Sequence, residues 1–171
     1  MKSQSFHQIL SGLTILIASA AILSIPAQAA VTGEVVAITS GDTFTILNSN
    51  NQQRVIRLAE IYAPEPGQPY YEKAKQVLAD RILNKTISFE RTAWGKQGEL
   101  VADVTLNGEN ISAWLLADGH VWVYRAYSDD PRMLELESDA QKQQLGLWAF
   151  PPADRVPPWE WILSPTGKNA E

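Results

Sequence analysis

Apolar and polar positions alternate along the part of the chain that follows residue 30. β-Branched and apolar residues fill 33–39 and 43–47, and the sequence Ser40-Gly41-Asp42 separates these two runs. A third run of the same kind spans 53–61. Such runs, interrupted by turn residues, are typical of strands joined by tight turns. The pattern therefore predicts an antiparallel meander of three strands.

The spacing of the apolar residues becomes helical after residue 70, which predicts a helix directly after the third strand. The apolar face of this helix consists of Ala74, Val77, Leu78 and Ile82. Alternation returns at 86–91 and at 99–106. These two segments predict a fourth and a fifth strand.

Two further helices are expected after the fifth strand. The first is short, covers 112–118 and is closed by Gly119. The second begins at Asp130-Pro131, an N-cap followed by a proline in the first turn, and runs to about Leu145. This order of elements predicts an α+β domain that is mainly β, a five-stranded Greek-key barrel of the OB type with about three helices packed on it.

A proline-rich tail follows this barrel domain, which we assign to residues 30–148. Prolines at 151, 152, 157 and 158 precede Trp159-Glu160-Trp161 in the tail, residues 149–171. We expect no regular structure there. Because two tryptophans are costly to leave in water, we expect the tail to pack back on the domain.

Residues 1–29 have the pattern of a secretory signal peptide. An apolar stretch at 9–25 precedes Pro26-Ala27-Gln28-Ala29, which contains an A-x-A cleavage site. The alternative is an uncleaved membrane anchor, since the stretch is nearly long enough to span a bilayer. We favour cleavage near Ala29, export to the periplasm or the extracellular space, and a monomer without stable membrane insertion.

Composition limits the chemistry that the protein can carry out. Its 171 residues include no cysteine, which excludes disulfides and thiol catalysis. The chain has 14 Lys and Arg against 19 Asp and Glu. Removal of Lys2 with the leader leaves 13 basic residues against 19 acidic ones, a net charge of −6. This balance argues against strong non-specific binding to nucleic acid.

Several short motifs occur in a defined order between residues 33 and 148. They are Ser40-Gly41-Asp42-Thr43, Ile56-Arg57-Leu58, Ala63-Pro64-Glu65, Gln68-Pro69-Tyr70 with Ala74, Leu115 with Gly119, and Glu137 followed by Leu145-Gly146-Leu147-Trp148. Together, in this order and spacing, they resemble the staphylococcal nuclease (thermonuclease-like) family. The resemblance implies calcium-dependent hydrolysis of phosphodiester bonds in DNA and RNA, with nucleic acid as the partner.

Four residues match the site of that family. The resemblance implies that Asp42 is a calcium ligand and that the backbone carbonyl of Ala63 is another. It implies that Arg57 binds the phosphate and that Glu65 is the proposed general base. Arg57 and Glu65 are therefore the candidate catalytic residues. No comparable motif identifies residues that bind the rest of a nucleic acid.

Three positions depart from the family site: Ser40, Tyr62 and Glu99. Ser40 replaces an outer aspartate, and Tyr62 replaces an aspartate that is a direct metal ligand. Glu99 stands where the family has a second phosphate-binding arginine, so the charge is reversed. Losing one preorganised donor typically costs about 10²–10³ in rate. The combined changes predict a loss of roughly 10⁴ or more if the effects are independent.

The sequence is compatible with two functions. The first is an active nuclease with a rearranged metal site and phosphate clamp, in which Glu60, Arg91 or Lys96 compensates and calcium is required. The second is a non-catalytic relative that binds a protein, a peptide or a nucleic acid and needs no metal. In that case Arg57 and Glu65 should pair with each other. The chemistry of positions 62 and 99 favours the second function.

The remaining conspicuous side chains are expected to be structural. We interpret the aromatic residues Trp94, Trp114, Trp122, Tyr124 and Tyr127 mainly as packing residues, although the last three would also suit stacking on bases. His120 is expected to be a surface or capping group, and Glu137 an ion-pair or capping group within the fold.

Overall fold

Five strands close into a barrel in the computed structural model, which describes residues 31–165. The predicted signal peptide and residues 166–171 lie outside the described residues. The barrel strands are β1 (Val31–Ile38), β2 (Thr43–Leu47), β3 (Gln53–Leu58), β5 (Thr86–Trp94) and β6 (Leu100–Leu106). They are hydrogen-bonded in the order β3-β2-β1-β5-β6, and β3 pairs with β6 to complete the circle. The predicted α+β barrel of the OB type is confirmed.

The meander predicted from residues 33–61 is present, but its third strand is shorter than expected. β3 ends at Leu58, and Glu60 has a φ of +67°, which breaks the strand. Ile61–Tyr62 form a separate short strand, β4, which pairs with β8 (Trp122–Val123). The backbone change at Glu60 turns the chain out of the barrel and towards the segment around residue 123. The barrel closes through a parallel pairing, with Arg57 opposite Val101.

Alternation along the strands places the apolar side chains inside the barrel. In β2, Phe44 and Ile46 are fully buried, while the residues between them are only partly buried. Val35, Ile56 and Val104 meet them from other strands. The barrel therefore closes and buries its own core within residues 31–165, so residues 30–171 provide a suitable chain for experiments.

Three helices pack on the barrel, as predicted. They are α1 (Tyr71–Ile82), α2 (Ile111–Ala117), which follows the short edge strand β7 (Glu109–Asn110), and α3 (Pro131–Lys142). The Asp130 side chain accepts a hydrogen bond from the Arg132 N–H at 2.8 Å, which confirms its role as N-cap of α3. Gly119 follows α2 with a φ of +72°, as expected for a glycine that closes a helix. The predicted end of α3 near Leu145 is wrong, because α3 ends at Lys142 and the chain then turns through Gln144, with a φ of +54°.

The tail folds back onto the domain, but it is not irregular throughout. A 3₁₀ turn covers Pro152–Asp154 and a short helix, α4, covers Pro158–Trp161. The Trp159 ring stacks on Tyr124 with centroids 5.8 Å apart. The prediction of an irregular tail was wrong for this segment, because proline is tolerated in the first turn of a helix. Within residues 31–165, no helix is long and apolar enough to cross a membrane.

Two aromatic side chains expected to be packing residues are largely exposed. The exposed fraction is 63% for Trp94 and 72% for Tyr127, whereas Trp122 is buried. His120 is half-buried rather than on the surface, and its Nδ1 lies 2.8 Å from the hydroxyl oxygen of Tyr70. Burial lowers the pKa of His120.

Glu137 joins α3 to the segment that leads away from the barrel. It is 1% exposed, and its carboxylate accepts hydrogen bonds from the Val123 N–H at 2.8 Å and from the Arg125 guanidinium at 2.6 Å. The expectation of an ion pair within the fold is confirmed. Because Val123 pairs with β4, Glu137 also supports the strand that carries Tyr62.

Replacing this carboxylate should destabilise the whole domain. We expect Glu137→Ala to lower the free energy of unfolding by about 2–4 kcal/mol, because it leaves the buried Val123 N–H without an acceptor. The corresponding fall in Tm, measured by thermal unfolding, is roughly 5–15 °C. Glu135→Ala, on the exposed side of the same helix, is the control and should change Tm little. Equal Tm values for the two variants would contradict this role of Glu137.

Candidate active site

The turn between β1 and β2 carries the buried carboxylate of the site. The N–H groups of Thr39 and Ser40 both donate to the Thr43 carbonyl, which makes the turn tight. Gly41 is required here, because a Cβ on it would lie 2.9 Å from the Cβ of Ala63 and 2.8 Å from that of Ala74. This close packing brings Asp42 against the end of β4 and the start of the loop that follows.

Asp42 is 4% exposed, and both of its oxygens are bound by groups of the protein. Oδ1 accepts hydrogen bonds from the Ser40 hydroxyl at 2.7 Å and from the Thr43 hydroxyl at 2.8 Å. Oδ2 accepts one from the Ala63 N–H at 3.1 Å and lies 3.8 Å from the Arg57 Nε. Ser40 therefore donates to Asp42, where a second carboxylate would repel it.

Arg57 lies on β3 directly opposite Thr43, which places its guanidinium beside Asp42. Its Cζ lies 4.4 Å from the centre of the Tyr62 ring, a cation–π arrangement. Burial opposes the charge, but Asp42, Tyr62 and Glu65 together outweigh it, and the pKa of Arg57 is raised. The buried Nη2 has no hydrogen-bond partner within residues 31–165. Arg57 thus takes Asp42 as its ion-pair partner, in place of the expected Glu65.

Tyr62 reaches the site because β4 alternates, with Ile61 buried and Tyr62 on the other face. Its ring packs against Tyr124 at 5.1 Å and against Trp159 at 6.4 Å between centroids. Burial and the nearby Glu65 carboxylate raise the pKa of Tyr62 to about 12. The phenol is therefore neutral at ordinary pH and supplies no negative charge to a metal.

Glu65 lies in the loop after β4, which the tail holds in place. The Glu65 N–H donates to the Gln68 side-chain oxygen at 2.7 Å, and the Gln68 amide donates to the Val156 carbonyl at 2.8 Å. The Trp161 indole N–H donates to the Pro66 carbonyl at 3.3 Å. The sequence motif contained Gln68, but the part that Gln68 and the tail play in holding Glu65 was not predicted.

The Glu99 carboxylate is held within its own turn. It lies in the turn between β5 and β6, where its Oε2 accepts a hydrogen bond from the Gln97 N–H at 3.0 Å. The carboxylate lies over Gly95, in the space that a side chain there would fill. Glu99 therefore stabilises its own loop, and the second guanidinium of the phosphate clamp has no counterpart at this position.

Two of the three residues that could compensate for these departures make other contacts. The Glu60 carboxylate accepts a hydrogen bond from the Ser128 hydroxyl at 2.8 Å. The Arg91 guanidinium lies over the Trp94 ring, with its Cζ 5.2 Å from the centroid. Lys96 lines the cleft, but it lies on the loop that the hydrogen bond to Glu99 stabilises.

These residues surround one open cleft of about 1260 Å³. Asp42, Arg57, Tyr62, Glu65 and Glu99 all line it, so the structure brings these five residues of the predicted site together, whereas Ala63 is buried and is not part of the lining. The cleft runs between β3, the turn at 95–98 and the tail. The catalytic roles of Arg57 and Glu65, and the role of the Ala63 carbonyl, remain predictions.

The donor groups present do not fit a calcium ion. Calcium takes six to eight oxygen ligands, several of them carboxylates. Asp42 already accepts from three protein donors and faces a guanidinium, and Tyr62 is neutral. Among residues 31–165, no group of three or more His, Cys, Asp or Glu side chains could hold a metal ion.

The class is an OB-type barrel whose cleft is lined by the Asp42–Arg57 pair and by Glu65. The family model described as "Staphylococcal nuclease homologue" matches residues 55–150. The chain is 39% identical over 160 residues to a protein named "Micrococcal nuclease" from Shigella flexneri, with 87% of this chain and 89% of that protein covered. It is 35% identical over 137 residues to an "Uncharacterized endonuclease" from Haemophilus influenzae, covering 80% and 77%. The chain belongs to the staphylococcal nuclease family.

Removal of Asp42 distinguishes a structural carboxylate from one that is kept for a metal. We expect Asp42→Ala to lower the free energy of unfolding by about 2–4 kcal/mol, because it leaves the Ala63 N–H and Arg57 without their acceptor. Urea denaturation measures this change, and Asp129→Ala at an exposed position is the control. If Asp42→Ala were more stable than the wild type, the carboxylate would be kept for function at the expense of stability. That result would contradict a structural role for Asp42.

Proposed function

We propose that this chain is a staphylococcal nuclease relative that has lost most or all hydrolytic activity and acts as a binding module. The observation that carries the proposal is the pairing of Arg57 with Asp42. The residues to which the resemblance assigns phosphate binding and metal binding here neutralise each other.

Phosphodiester hydrolysis needs positive charge aimed at the phosphate oxygens of the transition state. One guanidinium of this site is shared with Asp42 and with the Tyr62 ring. The position of the other holds Glu99, which is bound to its own loop. The donor set does not fit calcium, so the charge that a cation would supply is also missing. These features support a binding role that needs no metal.

One observation favours the alternative, an active nuclease with a rearranged metal site. The buried Nη2 of Arg57 has no hydrogen-bond partner in the described part of the chain, and Glu65 lines the same cleft. A phosphate oxygen in the cleft would give that N–H group an acceptor. In this alternative nucleic acid is the substrate and calcium is required.

We also propose that the protein acts outside the cytoplasm, in the periplasm or in the extracellular space. The A-x-A site at 27–29 and the apolar stretch before it support removal of the leader. The absence of cysteine from the whole chain means that the barrel core alone must stabilise the exported domain.

A cleavage assay tests the proposed loss of activity. Residues 30–171 are incubated with calcium and single-stranded DNA, beside Glu65→Ala and the double variant Tyr62→Asp/Glu99→Arg. We expect the wild type to cut no faster than Glu65→Ala, at a rate at least about 10⁴-fold below that typical of such enzymes. Measurable cutting by the double variant alone would support the assignment of Tyr62 and Glu99 as the cause. Robust cutting by the wild type that Glu65→Ala abolishes would overturn the proposal.

A further inference from the structure

Four of the eight exposed large hydrophobic residues within residues 31–165 line the cleft. Val55, Trp94, Tyr127 and Ile162 are large hydrophobic residues with exposed fractions of 43%, 63%, 72% and 45%, and all four line it. They come from β3, the end of β5, the segment after β8 and the tail. Such a patch, contributed by four separate parts of the fold, marks a surface that contacts another molecule.

Aromatic rings form one wall of this cleft. Tyr62, Tyr124, Tyr127 and Trp159 are linked by ring contacts, with 4.9 Å between the centroids of Tyr124 and Tyr127. Trp94, the last residue of β5, also lines the cleft. Rings of this kind bind apolar groups, and they also attract cations placed over their faces.

The charge of the cleft is predominantly negative. Its carboxylates are Asp42, Glu60, Glu65, Glu99 and Asp103, and its cationic groups are Arg54, Arg57 and Lys96. Arg57 is neutralised by Asp42, and Arg54 donates to the Gln52 side chain and to the Gln53 carbonyl. Burial raises the pKa of Asp103, and the nearby charges of Glu60 and Glu90 add to this effect.

This charge disfavours a polyanion and favours a cation. A nucleic acid needs several phosphates neutralised by Lys and Arg, which this cleft does not offer. A Lys or Arg side chain, in contrast, would meet carboxylates and ring faces together. The volume of about 1260 Å³ exceeds the ~300–1,000 Å³ of typical small-molecule sites, which suits a segment of polypeptide.

We propose that the cleft binds an extended basic peptide segment of a partner protein, with its Lys or Arg side chains towards the carboxylates around Asp103 and its apolar side chains against Trp94 and Tyr127. This inference rests on the proposed binding function and specifies its partner. Electrostatic complementarity makes the complex sensitive to salt.

Fluorescence anisotropy tests the proposal with residues 30–171 and a fluorescein-labelled peptide of alternating Arg and Leu. We expect saturable binding that weakens as salt is added. Trp94→Ala and Tyr127→Ala should each weaken it roughly 5- to 30-fold, as anchor residues of an interface do. Because both side chains are exposed, neither change should lower Tm substantially.

Matched pairs of variants, one in the cleft and one outside it, distinguish a specific effect on peptide binding from a general one. Asp103→Asn should weaken binding and reduce its salt dependence, whereas Glu135→Gln on the exposed side of α3 should change neither. Leu163→Ala, an exposed apolar residue of the tail, is the control for Trp94→Ala and should bind like the wild type. Equal losses in the cleft variants and in these controls would overturn the proposal.

Labelled oligo-dT tests the competing hypothesis, that the cleft binds a nucleic acid. If it binds the cleft and displaces the peptide, or if the peptide does not bind at all, the inference of a basic peptide partner fails. Either result leaves the proposed loss of hydrolysis intact, because that proposal is decided separately by the calcium-dependent cleavage assay.

Discussion

The other interactions of the site depend on the hydrogen bonds and the ion pair of the Asp42 carboxylate. A buried carboxylate is costly unless its oxygens are paired, and here one side chain links the β1–β2 turn, β3 and the loop after β4. Arg57 provides the balancing charge. The Asp42–Arg57 pair is therefore neutral without a divalent ion, which accounts for the poor match between the Asp42 carboxylate and calcium.

The departures from the family pattern are consistent with one another. Ser40 donates to Asp42 where the family has a second acid, and Tyr62 places a neutral ring beneath Arg57. The Glu99 carboxylate is held at its own loop, because it accepts a hydrogen bond from the Gln97 N–H. Together, these changes replace groups that would bind a cation and a phosphate with groups that bind each other. The exposed rings and carboxylates of the surrounding cleft then define what it can bind instead.

Local sequence patterns predicted the barrel and its helices well, because alternation, helix caps and turn residues act over short distances. The break at Glu60, the exposure of Trp94 and the position of Glu99 were not predictable in this way. The break at Glu60 is accompanied by the contact from Ser128, 68 residues away in sequence, whereas Glu99 is held by the Gln97 N–H of its own turn. The motifs identified the residues of the site, but the choice of Asp42 rather than Glu65 as partner of Arg57 depends on three-dimensional packing.

Calcium binding to the purified domain tests the central claim most directly. Isothermal titration calorimetry of residues 30–171 should show no saturable heat up to roughly 1 mM calcium, a level at which extracellular calcium modules bind. The Asp42→Ala variant should give the same trace as the wild type. A saturable isotherm in the wild type that is lost in Asp42→Ala would show that the carboxylate holds a metal, and would contradict the account.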